Sequence, residues 1–150
     1  MEYIEEEYIY AIAQKDKFFE IILQSLNEVK VDVRQIIKKR WLSGESAKGG
    51  KIVNKNTGGG YSSLMYKNMK LLKNPSAGGN IDLTLTGALG DNIEIVITQS
   101  GDGEIISTDS KYNIIGNTYG FDEIGLSDSE NQLVMMTLGN LISEKINNLN

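Results

Sequence analysis

Apolar residues first recur at helical spacing between Lys17 and Lys30, where Phe18, Phe19, Ile22, Leu23, Leu26 and Val29 stand three and four apart. This pattern predicts an amphipathic helix over 17–30, with Asp16 placed to cap it. A helical turn or two before it would carry Tyr8, Ile9 and Ile12 on one side. Asp32 and Gln35 have the spacing of a capping box, which predicts a second helix over 33–42 burying Val33, Ile36, Ile37 and Trp41. Lys38, Lys39 and Arg40 would then complement its macrodipole, and Gly44 would stop it. Residues 43–60 are rich in glycine and have few apolar anchors beyond Ile52 and Val53, the signature of a long flexible loop. A short helix over 61–72 follows, with Tyr61, Leu64, Met65, Met69 and Leu72 on its apolar side, and the run 74–80 closes it with a turn.

The period then changes from helical to alternating. Ile81, Leu83 and Leu85 alternate with Asp82, Thr84 and Thr86, and Ile93, Ile95 and Ile97 with Glu94, Val96 and Thr98, predicting two half-buried strands. Ser100-Gly101-Asp102-Gly103 reads as a hairpin turn and 104–108 as the return strand, with another strand over 111–115. Ser127 and Glu130 form a second capping box, ahead of a helix whose apolar face is Leu133, Val134, Leu138, Leu141, Ile142, Ile146 and Leu149. Helices first, then a small antiparallel sheet, then a long C-terminal helix make a single α+β domain over 1–150.

Composition narrows the chemistry more than any motif does. At 150 residues the chain can bury one core, and its 40% hydrophobic and 23% charged content is that of an ordinary globular protein. There is no cysteine, which excludes disulfides, thiolate metal sites and a Cys nucleophile. There is no histidine, which removes the commonest general base and metal ligand. No run of about 18 apolar residues would span a membrane. The first residues, Met1-Glu2-Tyr3-Ile4-Glu5-Glu6-Glu7, are acidic where a secretory signal would be basic, so the chain is expected to be made and used in the cytoplasm.

The net charge of −5 is segregated along the chain. Residues 1–29 carry seven acids against Lys15 and Lys17, residues 30–73 eleven bases against Asp32 and Glu45, and residues 74–150 eleven acids against Lys111 and Lys145. Three readings are open. The charges mix on one folded surface; or the subunit is bipolar and its basic part (Lys38, Lys39, Arg40, Lys48, Lys51, Lys55) meets an acidic partner head to tail; or residues 30–73 bind nucleic acid as a small binding or regulatory module.

Candidate catalytic patterns fail on their own terms. The stretch from Gly44 to Lys51 resembles a phosphate loop, but Gly50 holds the lysine position and Ile52 follows Lys51. The acids Asp102 with Glu104 and Asp122 with Glu123 do not follow a calcium-loop pattern and read as turn residues. Ser62, Ser63 and Lys67 form the nearest local Ser–Lys set and read as helix-surface residues. The chain is therefore expected to be non-catalytic, with no cofactor and no metal.

The segment Asp82-Leu83-Thr84-Leu85-Thr86-Gly87-Ala88-Leu89-Gly90-Asp91-Asn92-Ile93 resembles the Leu-Thr-Gly-x-Leu-x-x-Ser-Ile signature of tailed-bacteriophage head–tail joining and tail-completion proteins, the virion-morphogenesis type. Tyr119-Gly120-Phe121-Asp122-Glu123-Ile124-Gly125-Leu126-Ser127 is similar to that family's Phe-Gly-Leu-Ser approach to its last helix. Gly90 and Asn92 depart from the family's basic residue and serine, and its arginine before the last helix is missing. The order of elements over residues 60–147 is similar as well, and the composition is compatible with a crAss-like phage. The resemblance marks Leu85, Thr86, Gly87, Leu89, Ile93, Tyr119, Gly120, Phe121, Gly125 and Leu126 as motif or assembly positions. It implies a structural virion protein: a sixfold or twelvefold homo-oligomeric ring at the neck or top of the tail, contacting portal or tail proteins, with DNA passing through unbound.

Overall fold

The computed structural model describes residues 2–83, 87–98 and 102–148, with side chains from residue 10 onward. The fold is α+β. Helix α1 (Glu2–Ser43) leads to α2 (Leu64–Lys73), a 3-10 turn (Pro75–Ala77), the short α3 (Ala88–Asp91), strands β1 (Ile93–Ile97) and β2 (Gly103–Ser107), α4 (Tyr112–Tyr119), a second 3-10 turn (Phe121–Ile124) and α5 (Asp128–Asn147).

Instead of two N-terminal helices there is one of 42 residues, about 60 Å long at about 1.5 Å per residue. Asp16 and Asp32 lie inside it, exposed, and cap nothing. No glycine or proline interrupts residues 2–43, and an aspartate in a helix interior costs well under about 1 kcal/mol relative to alanine. A continuous buried seam outweighs that cost. Ile21, Ser25, Val29, Val33, Ile37 and Trp41 recur every fourth residue, all buried, straight through the expected break.

Gly44 ends α1 as anticipated. It has φ 70°, its N–H donates to Trp41 O at 2.9 Å, and Glu45 N–H donates to Arg40 O at 3.1 Å, the two bonds of a Schellman motif. A Cβ at Gly44 would lie 2.9 Å from Asn80 Cβ and 3.1 Å from Ile81 O. Gly44→Ala is therefore expected to destabilise the fold by about 2–4 kcal/mol, from left-handed backbone strain and overpacking together. A urea titration reads this as a lower midpoint with an unchanged slope.

Residues 45–59 are held by more than their few apolar side chains. Isolated antiparallel backbone β-bridges join Glu45 to Lys51 and Asn54 to Gly59; Ile52 N–H donates to Gly44 O and Lys55 N–H to Thr118 O. Ile52, Ser46 and Asn54 are buried.

The strand expected from Ile81 onward is absent over 81–83, and positions 84–86 lie outside the described residues. Ile81, Asp82 and Leu83 are all buried, so the alternation of apolar and polar does not correspond to inside and outside. The strand expected over 111–115 is instead α4. Tyr112, Ile115 and Tyr119, three and four apart, pack one helical face against the core. The strand pairing stands, with β1 and β2 antiparallel, Ile93 opposite Ser107 and Ile95 opposite Ile105, while Ser100 and Gly101 of the expected turn lie outside the described residues. The Ser127–Glu130 capping box also stands, and both its halves are made.

The core surrounds the C-terminal half of α1, where Val29, Val33, Ile37 and Trp41 meet Ile52, Ile81, Leu89, Ile93, Ile124 and Val134. Helix α5 runs back along α1, tied at its start by Arg40 to Glu130 (3.2 Å) and at its end by Lys145 to Glu28 (2.8 Å).

Candidate assembly surfaces

Folding brings the basic and acidic thirds of the chain together. Lys30 and Arg34 both reach Glu94 at 2.9 Å, Lys38 reaches Asp91 at 2.5 Å and Lys48 reaches Asp122 at 2.6 Å. Lys70 pairs with Asp82 in the interior, and Arg40 with Glu123 and Glu130. Six of the eleven bases of residues 30–73 are thus matched by acids of residues 74–150. Lys39, Lys51, Lys55, Lys67 and Lys73 are exposed and form no ion pair among the described residues. Among the basic positions singled out above, then, Lys38, Arg40 and Lys48 serve the fold, while Lys39, Lys51 and Lys55 face outward.

These pairs shift the carboxyls they hold. The Lys30 hydrogen bond, with the Lys30 and Arg34 charges behind it, keeps the Glu94 carboxyl below its ordinary 4.5, and the Lys48 hydrogen bond does the same for Asp122. A depressed folded pKa contributes stability that is complete above the unfolded value and is lost as pH falls through the folded one. The urea midpoint is therefore expected to fall as the pH drops below about 4.5, less steeply in Glu94→Gln.

The densest polar node is buried. Arg40 donates from Nε to Glu130 at 3.2 Å and from Nη2 to the carbonyl oxygens of Glu123 (3.4 Å) and Gly125. Trp41 Nε1 donates to the same Glu123 oxygen at 2.7 Å. The Glu123 carboxylate accepts from Ser46 Oγ at 2.6 Å and Ala47 N at 3.0 Å, and lies 3.7 Å from Arg40 Nη1. An open cleft of about 780 Å³ adjoins this node, lined in part by Glu45, Lys48, Asp122 and Asp128. It offers an anion little: Arg40 already faces two carboxylates, and Ser127 and Glu130 of the chain itself cap α5. Arg40 is a helix-end base and one of the possible partner-contact positions in the sequence, Glu123 a turn acid and Glu130 a cap; their pairing across 83 and 90 residues is hinted at only by the opposite charge of the two segments.

Helix α2 is turned inside out. Ser63 caps it, accepting from Tyr66 N–H. Lys70, 3% exposed, points inward to Asp82, while Met65 and Leu72 stand 83% and 84% exposed. Met65, Met69 and Leu72, spaced four and three, make one outward apolar face. The buried ion pair fixes the orientation, because Lys70 turned to solvent would leave the Asp82 carboxylate buried without its cation. Tyr61 helps seat this corner: its hydroxyl accepts from Asp82 N–H at 2.9 Å, and burial pushes its pKa up.

A second apolar surface lies at the far end of α1. Helix α5 reaches as far as Glu28 through Lys145, and the buried seam of α1 begins at Ile21. Residues 10–20 are all exposed, so this part of α1 is an arm beyond the core. Tyr10 and Phe19 are 67% and 60% exposed.

The motif positions fall mostly inside the fold. Leu85 and Thr86 lie outside the described residues. Gly87 (φ 76°) precedes α3, and Leu89 and Ile93 are core residues. Tyr119 and Leu126 are partly buried against the core, Gly120 is buried with φ 123°, and Gly125 accepts from Arg40. Phe121, exposed on one side, packs on Tyr112 with ring centroids 5.3 Å apart. The described motif residues build the scaffold under the surfaces rather than the surfaces themselves.

Among the described residues no group of three or more carboxylates could hold a metal ion, and no helix is long and apolar enough to cross a membrane. No family model, curated protein or solved structure matches the chain.

Proposed function

We infer that this chain is a non-catalytic structural subunit whose work is to associate with copies of itself. The observation that carries the reading is apolar surface left in solvent among the described residues, above all on α2 (Met65, Met69, Leu72) and on the arm of α1 (Ile12, Phe18, Phe19). Monomeric proteins rarely leave large contiguous apolar patches uncovered, and those that do usually cover them with a partner. The resemblance of residues 82–93 and 119–127 to virion-morphogenesis proteins gives the assembly its setting: a homo-oligomeric ring at a phage neck or the top of the tail, bridging portal and tail around the DNA path. In that setting net negative charge limits adhesion of the passing DNA. Electron microscopy of the purified protein tests the reading. Closed rings of uniform diameter are expected; dispersed single subunits at every concentration refute it.

A further inference from the structure

The geometry points to a head-to-tail contact in which the arm of α1 from one copy lies on the outward face of α2 in the next. This rests on the ring reading above and specifies which surfaces meet.

The two faces are both apolar and are opposite in charge. On the arm, Ile12, Phe19 and Leu23 are spaced seven and four and so share one helical face. That face lies about 200° around the helix from Ile21, away from the buried seam. Asp16, four from Ile12 and three from Phe19, lies on that face and Glu20 at its edge, and residues 2–20 hold six acids against Lys15 and Lys17. Helix α2 contains no acid; with Lys70 turned inward to Asp82 its outward charge is Lys67 and Lys73, and Lys73 flanks the Met65–Met69–Leu72 face. An acidic apolar helix therefore meets a basic apolar one. Two arms packed together would instead oppose like charges.

The contact cannot form within one chain. Helix α2 ends beside the C-terminus of α1, where Asn74 Nδ2 donates to Leu42 O at 3.0 Å. The arm is at the other end of the same helix, about 40 Å away by helical rise. Each copy thus carries one half of the contact at each pole. Such a heterologous contact propagates from copy to copy and closes as a ring when the rotation allows.

The absence of cysteine makes the test clean. In Phe19→Cys/Met65→Cys, mild oxidation of the assembled protein should give a covalent ladder running past dimers, while each single-cysteine variant stays uncrosslinked. Lys73→Glu should weaken association roughly tenfold or more, and Asp16→Lys/Glu20→Lys placed in the same chain should restore it. Arm-to-arm dimers from Phe19→Cys alone would overturn the contact. So would an uncrosslinked double variant that still runs as a multi-subunit particle, a result that leaves the ring reading standing. A lone subunit at every concentration of the unaltered protein would remove both.

Discussion

Arg40→Ala is expected to lower the unfolding free energy by about 3–5 kcal/mol, the cost of breaking a buried ion pair from one side. Arg40 and Glu123 are both buried, and the alanine variant would leave the Glu123 carboxylate inside the protein with only Ser46 Oγ and Ala47 N–H to satisfy it. It would also strip the donor from the Gly125 carbonyl, leave the Glu123 carbonyl to Trp41 Nε1 alone and leave Glu130 with only the Ser127 N–H, loosening α5 on α1. Against a typical total of about 5–15 kcal/mol this is a fifth of the stability or more. Arg40→Lys should recover little, because one ammonium cannot reproduce a guanidinium that donates in several directions at once. Urea midpoints for the two variants, with the slope checked for constancy, measure both statements.

Met65→Asp/Leu72→Asp is expected to do the opposite: leave the fold intact and abolish association. Both side chains are nearly free of intramolecular cover, so stability should move by no more than about 0.5 kcal/mol per site. Two carboxylates placed in the centre of an apolar contact would be desolvated there without partners, which costs several kcal/mol per assembled pair. Circular dichroism and thermal melting should therefore match the parent while the particle mass collapses. A variant that assembles normally would remove α2 from the contact.

The contrast between these variants follows from what local pattern can and cannot encode. The caps at Gly44 and Ser127, the β1–β2 hairpin and the α5 helix were legible because each is a short-range device: a positive φ, a side chain reaching three residues on, an alternation ended by a turn. The fusion of two expected helices into α1 was not, since Asp32 and Gln35 look like a capping box whether or not the chain bends there. What decides it is the four-residue seam through Val29 and Val33, which requires α5 as a partner. Periodicity shows that α2 has an apolar side but not which way that side faces. Its orientation depends on Lys70 meeting Asp82, 12 residues away, and periodicity carries no such information. Strand and helix were confused at Tyr112–Ile115 because a run that short fits both periods. The segregated charge was visible from the start, and three fates for it were open; the pairs from Lys30 to Lys70 show that much of it is spent within the chain.

The native mass of the purified, unaltered protein bears most directly on the claim that its exposed helices are built to be covered by other copies. The expected result is a single species at a fixed multiple of 16.6 kDa, stable to dilution through the micromolar range. A mass of 16.6 kDa alone throughout that range, with Tyr10, Phe19, Met65 and Leu72 still in solvent, would contradict it.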